Sequence, residues 1–588
     1  MKKITDVLVD VFKLATLAAY PQLQEIVPLP IEITPATQEK FGHYQFNSVM
    51  KLTKLLGVPP RTIAETIVAQ LREAENAKQM ISHLDIAGPG FINVTLHPHY
   101  LSDLANIQLK QPHFGITLPS GGEKEKIVID FSSPNTAKEM HVGHLRSTII
   151  GDCLARLFEF LGHDVLRLNH IGDWGTSFGM LIAYMKEQEP DVISGKKETD
   201  LLHLMHCYKA AKARFDSDSD FKKCSQLEVV QLQGGNAKSL KAWAIICDIS
   251  RKAYQEIYDL LDVKITERGE SFYNPLLTDL VSELEAKGLV TLSNGAKCIF
   301  MEGFVNRDGD LLPLMIQKGD GGYNYDTTDM AAIRQRIQEE KATRLIYVTD
   351  AGQSTHFQQV FKAAELAGYL DPQKIKTDHV PFGLVLGTDG KKFRSRSGDT
   401  ERLIDLLNAA IEHAENILIE RSPELSTEER KSLARTLGIA AVKYADLCSH
   451  RTSDYTFSYE RMLRFEGNTA AYLMYSYVRV AGIKRKVGID LEDLIPKASI
   501  SLDHPSEIAL GLQLVQFYDT LHQLSIDLLP HRLTEYLYAL AEKFNAFFRD
   551  CRVEGSEQQH SRLLLCECVA RTLKQGLYLL GVNVVEKM

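Results

Sequence analysis

Apolar residues recur at helical spacing along the first part of the chain, with one short strand pattern among them. In MKKITDVLVDVFKLATLAAY, Asp6, Asp10 and Lys13 interrupt the apolar positions, which predicts an amphipathic helix rather than a signal peptide. GVPPRTIAETIVAQLREA predicts a second helix that begins at its prolines. IAGPGFINVTL predicts a turn that leads into a strand. These patterns predict a small α/β domain over residues 1–115.

A second pattern, in which strands alternate with helices, begins near residue 127. The apolar run 127–131 predicts a buried parallel strand, the helical spacing after it ends at Gly162, and HDVLRLNHIG predicts the next strand. Further strands are predicted at 344–350 and 379–387. The order strand, helix, strand indicates a βαβ unit and a parallel sheet. We therefore predict an α/β domain over residues 116–430, with a charged helical insertion at about 185–255.

Strand patterns largely disappear after about residue 430. Apolar residues recur there at helical intervals, as in Leu533, Leu537, Leu540, Phe544 and Phe547. Residues 431–588 are therefore predicted to form an all-α helical bundle. A chain of 588 residues is also too long for one hydrophobic core, which agrees with several domains.

Composition and charge narrow the functional classes. A net charge of −9 argues against a protein that coats nucleic acid nonspecifically, although a local basic groove is compatible with it. The nine scattered cysteines are typical of a reducing compartment, and the spacing of Cys566 and Cys568 is not that of a structural zinc site. Because no apolar stretch is long enough to span a bilayer, we expect a cytoplasmic protein that does not bind membranes.

The segment SPNTAKEMHVGHLRST follows the first strand of the predicted sheet and contains two histidines. If the helix begins near His144, its unpaired N–H groups and its dipole favour a phosphate beside His141 and His144. Lys138 adds a positive charge, and Gly143 lets an adenine ring or backbone come close. Two other interpretations remain open from these residues alone. One is a capped helix with solvated histidines. The other is a metal site, which is less favoured because no carboxylate or cysteine lies nearby at the spacing of metal ligands.

A second basic loop, TDGKKFRSRSG, follows the predicted strand 379–387. Its cations are Lys391, Lys392, Arg394 and Arg396. A mobile basic loop at the carboxyl end of a strand suits a pyrophosphate that gains charge as it leaves. Taken alone, the loop is better explained as an ordinary solvated basic turn. Two such loops in one sheet favour a nucleotide site, and the sequence holds no Walker loop that would offer another.

Several motifs resemble those of the class I aminoacyl-tRNA synthetases, and of the arginyl-tRNA synthetases in particular. HVGH resembles the HIGH signature, and KFRSRSG resembles the arginyl form of the KMSKS loop. Others resemble that family in its order: NHIGDWGTSFGML, RGESFYNP, QKGDGGYNYDTTDMA, HFQQVF and FEGNTAAYLMYSYVR. The resemblance covers nearly the whole chain. It implies an α/β Rossmann-type catalytic domain of the class I synthetase (HUP) kind, an N-terminal α/β domain that contacts tRNA, and a helical anticodon-binding domain.

The resemblance implies a reaction in two steps. Arginine attacks the α-phosphate of ATP to give arginyl-adenylate and pyrophosphate, and the arginyl group then moves to the 3′ end of tRNA(Arg). Mg²⁺ is expected to accompany ATP, no structural zinc is expected, and the chain is expected to be a monomer, as is usual in the family. The residues implied in ATP binding are His141, Gly143, His144, Lys392, Arg394 and Arg396.

An arginine pocket and a tRNA surface are also implied. The pocket consists of Asn135, Glu270, Tyr325, Asp329 and Gln353. Carboxylates that face a planar guanidinium favour arginine over lysine. Taken alone, Glu270 also fits a helix or turn cap, and a tyrosine such as Tyr325 is more often part of the packing. The residues expected to bind tRNA, by stacking on bases and holding phosphates, are Tyr472, Tyr475 and Arg479.

The basic loop departs from the usual KMSKS pattern. Aligning SRS with SKS places Arg396 at the second lysine and Phe393 at the first. Our hypothesis is that Lys138 supplies the missing charge, so the predicted catalytic residues are Lys138, His141, His144 and Arg396. The alternative for Lys138 is a solvated loop lysine. Two other functions remain to be weighed: a related nucleotidyltransferase that acts on another acid, and a paralogue that only binds tRNA.

Overall fold

The structure is a computed structural model that describes residues 2–306, 308–393 and 401–588. Its first part is a four-stranded antiparallel sheet of order β1–β2–β4–β3, covered by helices. The strands are β1 Ile33–Pro35, β2 Tyr44–Phe46, β3 Ile81–Ala87 and β4 Phe91–Leu96. The helices are α1 Ile4–Ala19, α2 Val49–Leu56, α3 Pro60–Glu73, α4 Glu75–Met80 and α5 Pro98–Lys110. As predicted, α1 buries one face, and a proline begins α3.

A five-stranded parallel sheet lies at the centre of the molecule. Its strands are β5 Lys126–Asp130, β6 Asp164–Asn169, β7 Thr266–Glu267, β11 Arg344–Asp350 and β12 Lys376–Phe382, in the order β12–β11–β5–β6–β7. The chain runs outward from β5 through β6 to β7, and outward from β11 to β12. The switch point of the sheet therefore lies between β5 and β11, where ligands of such sheets bind at the carboxyl ends of the strands.

Helices and a small sheet connect these strands. Helix α6 Val142–Phe160 joins β5 to β6. A helical segment lies between β6 and β7: α7 Thr176–Gln188, α8 Pro190–Ser194, α9 Leu201–Ser217, α10 Ser219–Gln233 and α11 Ala237–Leu260. Between β7 and β11 lie α12 Glu270–Ala286, the antiparallel strands β8 Thr291–Ser293, β9 Ala296–Ile299 and β10 Leu314–Gln317, and α13 Tyr325–Gln338. Helix α14 Ser354–Leu366 joins β11 to β12.

The prediction of one strand over 379–387 is wrong. The chain forms β12, breaks at Gly383, and then forms β13 Val385–Leu386, which pairs in parallel with β14 Tyr455–Thr456. At the break, the Gly383 carbonyl accepts a hydrogen bond from Arg146 Nη1 at 2.8 Å, and the Gly383 N–H donates to the Arg451 carbonyl at 2.9 Å. These partners replace the sheet contacts and turn the chain toward the helical part.

The last part of the described chain is helical apart from β14. Its helices are α15 Leu403–Arg421, α16 Thr427–Leu447, α17 Tyr459–Met462, α18 Ala470–Val487, α19 Leu491–Leu494, α20 Pro505–Val515, α21 Phe517–Asp527, α22 His531–Asp550 and α23 Gln559–Leu579. The predicted apolar repeat falls on α22, and all five of its residues are buried. In the described residues we find no helix with the length and apolar character needed to cross a membrane.

Candidate active site

Most of the predicted site residues lie where the parallel strands end. Asn135 follows β5, Glu270 follows β7, and Gln353 follows β11 in a short 3₁₀ helix. Asp329 reaches the same edge from α13, because its carboxylate contacts His356 at the start of α14. The sheet therefore gathers residues that are far apart in the sequence.

The loop between β5 and α6 is held in an unusual backbone path. Three of its residues have the positive φ angles that residues other than glycine rarely adopt: Ser132 (69°), Ser133 (49°) and Ala137 (62°). The Tyr254 hydroxyl on α11 contacts the carbonyl oxygens of Asn135 and Lys138, at 2.6 and 2.7 Å. The helical segment after β6 therefore fixes the loop that carries Asn135 and Lys138.

His141 and His144 cap the N-terminus of α6. The Nδ1 atom of His141 accepts a hydrogen bond from the Gly143 N–H, and that of His144 accepts from the His141 N–H, both at 3.1 Å. Because each Nδ1 accepts, the proton of each neutral ring lies on Nε2. Burial lowers the pKa of His144 to about 3, and burial and the charge of Lys392 lower that of His141. The pair therefore offers two neutral Nε2–H donors beside a helix N-terminus, an arrangement that suits an anion.

A cavity of about 1700 Å³ lies beside this pair. Its wall includes Lys138 and His141 from the first predicted phosphate loop, Lys391 and Lys392 from the second, and Tyr208 from α9. Lys138 Nζ lies 5.7 Å from the centre of the Tyr208 ring. The structure thus brings the two loops to one cavity.

Two predicted residues of the second loop, Arg394 and Arg396, lie outside the described residues. Phe393 packs against Phe457, with ring centres 5.1 Å apart. An aromatic ring therefore occupies the position at which the usual KMSKS loop has its first lysine.

Glu270 and Asp329 form an acidic pair. Burial, together with the negative charges of Asp329 and Asp173, raises the pKa of Glu270 to about 8. Burial by itself would raise the pKa of Asp329, but the hydrogen bond from His356 and the nearby His170 lower it on balance. Two carboxylates that repel each other in this way are stabilised by a cation placed between them.

The other predicted pocket residues lie at the same edge of the sheet. Tyr325 is 60% exposed, so it is not core packing, and its ring meets that of His356 at 5.1 Å. Asn135 is exposed and lies against Gly172, where a Cβ would stand 2.1 Å from Asn135 Oδ1. Gln353 is also exposed and donates to Asp350 Oδ2 at 3.0 Å. These three polar side chains are thus exposed near the ends of the strands and are not packed into the core.

Across residues 2–306, 308–393 and 401–588, no group of three or more His, Cys, Asp or Glu side chains is arranged to hold a metal ion.

Known protein families include one that this chain matches over most of its length. Residues 108–459 match the family model described as "tRNA synthetases class I (R), catalytic domain", which spans more than half of the chain. The chain belongs to the arginyl-tRNA synthetase family. Residues 2–96 match the arginyl tRNA synthetase N terminal domain, and residues 473–588 match the DALR anticodon binding domain.

Individual proteins agree with this assignment. The chain is 63% identical to an arginine–tRNA ligase from Protochlamydia amoebophila, over 100% of both chains, and 52% identical to one from Cyanothece sp., over 98% of both. The crystal structure of an arginyl-tRNA synthetase from Plasmodium falciparum superposes with a TM-score of 0.87 at 34% identity, over 100% of both chains. The predicted family, the aminoacyl-tRNA ligase class and the three-part fold class are confirmed. A nucleotidyltransferase for another acid is therefore no longer favoured.

The residues expected to bind tRNA all lie on α18, but their side chains do not all point to the same side of the helix. Tyr475 is exposed, and the Arg479 guanidinium lies 5.0 Å from its ring centre and 5.2 Å from that of Phe548. Tyr472 points elsewhere and donates its hydroxyl proton to Glu542. Sequence reasoning missed Phe548, an exposed aromatic residue that comes directly after the buried repeat of α22. Tyr475 and Phe548 are thus exposed aromatic residues on either side of the half-buried Arg479, whose Nη1 donates to Asn545 Oδ1 at 2.6 Å.

Sequence reasoning also missed His356 and Asp173. His356 lies in HFQQVF, a motif that resembles the family but assigns no role to a single residue. Asp173 accepts hydrogen bonds from the Ser271 N–H at 2.8 Å and hydroxyl at 2.5 Å, and so fixes the first turn of α12 beside Glu270. For Asp173 the available signal was its position directly after the predicted strand that ends at Gly172.

Proposed function

We propose that this chain joins L-arginine to the 3′ end of tRNA(Arg) in two steps. An oxygen of the arginine carboxylate attacks the α-phosphorus of ATP, the bond from that phosphorus to the β-phosphate oxygen breaks, and pyrophosphate leaves. A ribose hydroxyl of the terminal tRNA nucleotide then displaces AMP from the arginyl carbonyl. The observation that carries the proposal is the acidic pair, Glu270 and Asp329, at the same sheet edge as the His141–His144 pair.

The two histidines and the two loops are proposed to bind ATP. The Nε2–H groups of His141 and His144 donate to phosphate oxygens, and Gly143 admits the nucleotide. Lys392, together with Arg394 and Arg396, holds the pyrophosphate as it gains charge. Mg²⁺ accompanies ATP as part of the substrate, because this ion keeps its waters and prefers phosphate oxygens to an all-protein site.

Lys138 is proposed to replace the missing lysine of the second loop. It shares the cavity wall with Lys392, and its backbone is fixed by Tyr254, so its charge stands where the leaving phosphates would lie. A cation that meets the charge developing in the transition state accelerates the chemical step.

Arginine is proposed to lie between Glu270 and Asp329. A guanidinium presents a planar fork of five N–H donors, so two carboxylates bind it in a geometry that a lysine ammonium cannot match. Tyr325 borders the guanidinium, while Asn135 and Gln353 orient the α-amino and carboxylate groups.

The remaining assignments concern the whole chain. We propose that residues 1–115 contact tRNA, that 116–430 form the catalytic domain with its insertion at about 185–255, and that 431–588 bind the anticodon through Tyr472, Tyr475 and Arg479. We further propose a cytoplasmic monomer. Of the three tRNA residues, Tyr475 and Arg479 have the stronger support, because the Arg479 guanidinium lies against the exposed ring of Tyr475.

Arginine-dependent exchange between ATP and pyrophosphate tests the proposal. Exchange that needs arginine and tRNA(Arg) is expected, whereas its absence under all conditions would leave a paralogue that only binds tRNA.

In the same assay Lys138→Ala should lower the exchange rate about 100-fold or more, the usual effect of removing one transition-state donor. Lys252→Ala, an exposed lysine paired with Asp248 on α11, is the matched control. Full exchange activity of Lys138→Ala would contradict the role proposed for that lysine.

A further inference from the structure

His356 lies between two carboxylates in the first turn of α14. Its Nε2 lies 2.6 Å from Asp329 Oδ2, and its Nδ1 lies 3.1 Å from Asp326 Oδ1. Both ring nitrogens can donate only when the ring is protonated. Burial would lower the pKa of His356, but the hydrogen bonds to the two carboxylates outweigh it and raise the pKa to about 9. The side chain is therefore an imidazolium at neutral pH.

The ring of His356 is held in place on the side that faces Asp326. Asp326 is buried, and its Oδ2 accepts hydrogen bonds from the Met315 N–H and from Asn324 Nδ2, both at 3.3 Å. The ring of His356 also meets those of Tyr325 and Phe357, each at 5.1 Å between centres. A ring held by one carboxylate and two aromatic neighbours is not free to follow Asp329. It therefore determines where the Asp329 carboxylate points.

Asp329 needs such a partner because its negative charge and that of Glu270 repel each other. Two nearby carboxylates favour protonation of one of them, and the raised pKa of Glu270 expresses this repulsion. His356 keeps the negative charge on Asp329, while His170 Nε2 lies 3.7 Å from the other oxygen. Two parallel N–H groups of a guanidinium bind a carboxylate only if it is ionised and correctly oriented.

We propose that His356 is a positioning residue for arginine selection, which holds the Asp329 carboxylate in the orientation that accepts a guanidinium. The inference rests on the proposed function, in which Asp329 binds arginine. His356 acts through Asp329, and also along the edge of Tyr325, without contacting the substrate itself.

Two amide substitutions separate this role from simple packing. The amide nitrogen of glutamine stands near the place of Nε2, and that of asparagine near the place of Nδ1. His356→Gln therefore keeps a donor to Asp329, whereas His356→Asn keeps only the donor to Asp326. In arginine-dependent exchange, His356→Gln should hold the arginine KM within about threefold, and His356→Asn should raise it about 10-fold or more, as expected for a lost hydrogen bond to a charged group. The KM for ATP should change in neither variant.

His379→Asn is the matched control. The His379 ring on β12 stacks on Phe357 at 5.2 Å and contacts Thr349 Oγ1 at 2.8 Å, so this substitution changes a neighbouring partly buried histidine. It should leave the arginine KM unchanged. Equal arginine KM values for His356→Gln and His356→Asn would overturn the inference, because packing alone would account for them.

If neither His356 variant folds, the pH dependence of the arginine KM in Asp326→Asn tests the inference instead. The titratable groups that face His356 are Asp326, Asp329 and Tyr325 from α13 and His379 from β12. Removing the Asp326 charge lowers the pKa of the imidazolium, so the arginine KM should begin to rise at a lower pH than in the unsubstituted chain. An unshifted profile overturns the inference. Failure of the proposed function would appear separately, as no arginine-dependent exchange in the unsubstituted chain.

Discussion

Glu270 changes its protonation state close to neutral pH, since burial and the charges of Asp329 and Asp173 raise its pKa to about 8. A cation bound between the two carboxylates favours their ionised forms. Below about pH 8, arginine binding must therefore release a proton from Glu270, and this proton release weakens binding as the pH falls.

The arginine affinity should accordingly rise as the pH increases from about 6.5 to about 8.5, a range in which arginine itself keeps its guanidinium charge. Glu270→Gln should weaken arginine binding about 10- to 100-fold at the upper end and remove most of the pH dependence. The measurement is the arginine dissociation constant by calorimetry at several pH values. Glu285→Gln, on the same helix and paired with Lys297 at 2.8 Å, is the control. A flat profile in the unsubstituted chain would contradict the argument.

At this scale, the sequence predicted residues whose side-chain chemistry suits the substrates, and it missed His356 and Asp173, which lie in motifs but support other residues. His141 and His144 could be predicted, because a strand, a short loop and a helix place them at one helix N-terminus. His356 could not, because its partner Asp329 lies 27 residues earlier on another helix. Periodicity along the chain does not tell which helix ends meet across a sheet edge.

Helix α6 can lie close to the central sheet because Gly151 faces Phe131. A Cβ at Gly151 would stand 2.2 Å from Phe131 Cγ, and Phe131 is fully buried just after β5. This contact sets how closely the helix that carries the two histidines approaches the strand that precedes them.

Gly151→Ala should therefore force α6 away from Phe131. The expected cost is about 1–3 kcal/mol of unfolding free energy, as for other overpacked cores, with a loss of exchange activity because His141 and His144 move with the helix. The urea midpoint and the exchange rate measure the two effects. Gly482→Ala is a contrasting control on α18, where the nearest atom to a new Cβ is 3.9 Å away. There, alanine should stabilise by up to about 1 kcal/mol. Similar effects of the two substitutions would exclude this role for Gly151.

Elements with strong periodicity were predictable, while those defined by distant partners were not. The apolar pattern predicts β5, β11 and α22 because each buries a continuous run or stripe of side chains. The break between β12 and β13 depends on Arg146 and Arg451, which bind the backbone at Gly383 from α6 and from the segment after α16. Such a break leaves no local pattern in the sequence beyond the glycine itself.

Across the whole molecule, Lys443 ties the catalytic part to the helical part. It lies fully buried on α16, and its Nζ donates to the carbonyl of Leu261, just after α11, and to that of Gly581, just after α23, the latter at 2.7 Å. Beside it, Arg156 on α6 donates to the Tyr578 carbonyl at 3.3 Å. Four separated segments of the chain thus meet at one polar cluster.

Lys443→Met should weaken the joint between these parts, because two buried carbonyls lose their donor, at a cost of about 2–4 kcal/mol. Burial lowers the pKa of Lys443 to about 8, whereas an unfolded lysine keeps its proton to about pH 10.4. Between these values the unfolded state binds more protons, so the unfolding free energy of the unsubstituted chain should rise relative to the variant as the pH increases.

Two probes can follow the separation of the parts during unfolding. Both tryptophans, Trp174 and Trp243, lie in the catalytic part, with ring centres 5.7 Å apart, so their fluorescence reports that part. Circular dichroism reports all helices, many of which lie beyond α15. In urea, the two transitions should lie further apart for Lys443→Met than for the unsubstituted chain, since the joint couples the parts only while its buried hydrogen bonds are made. Unchanged midpoints and unchanged separation would mean that apolar packing alone joins the two parts.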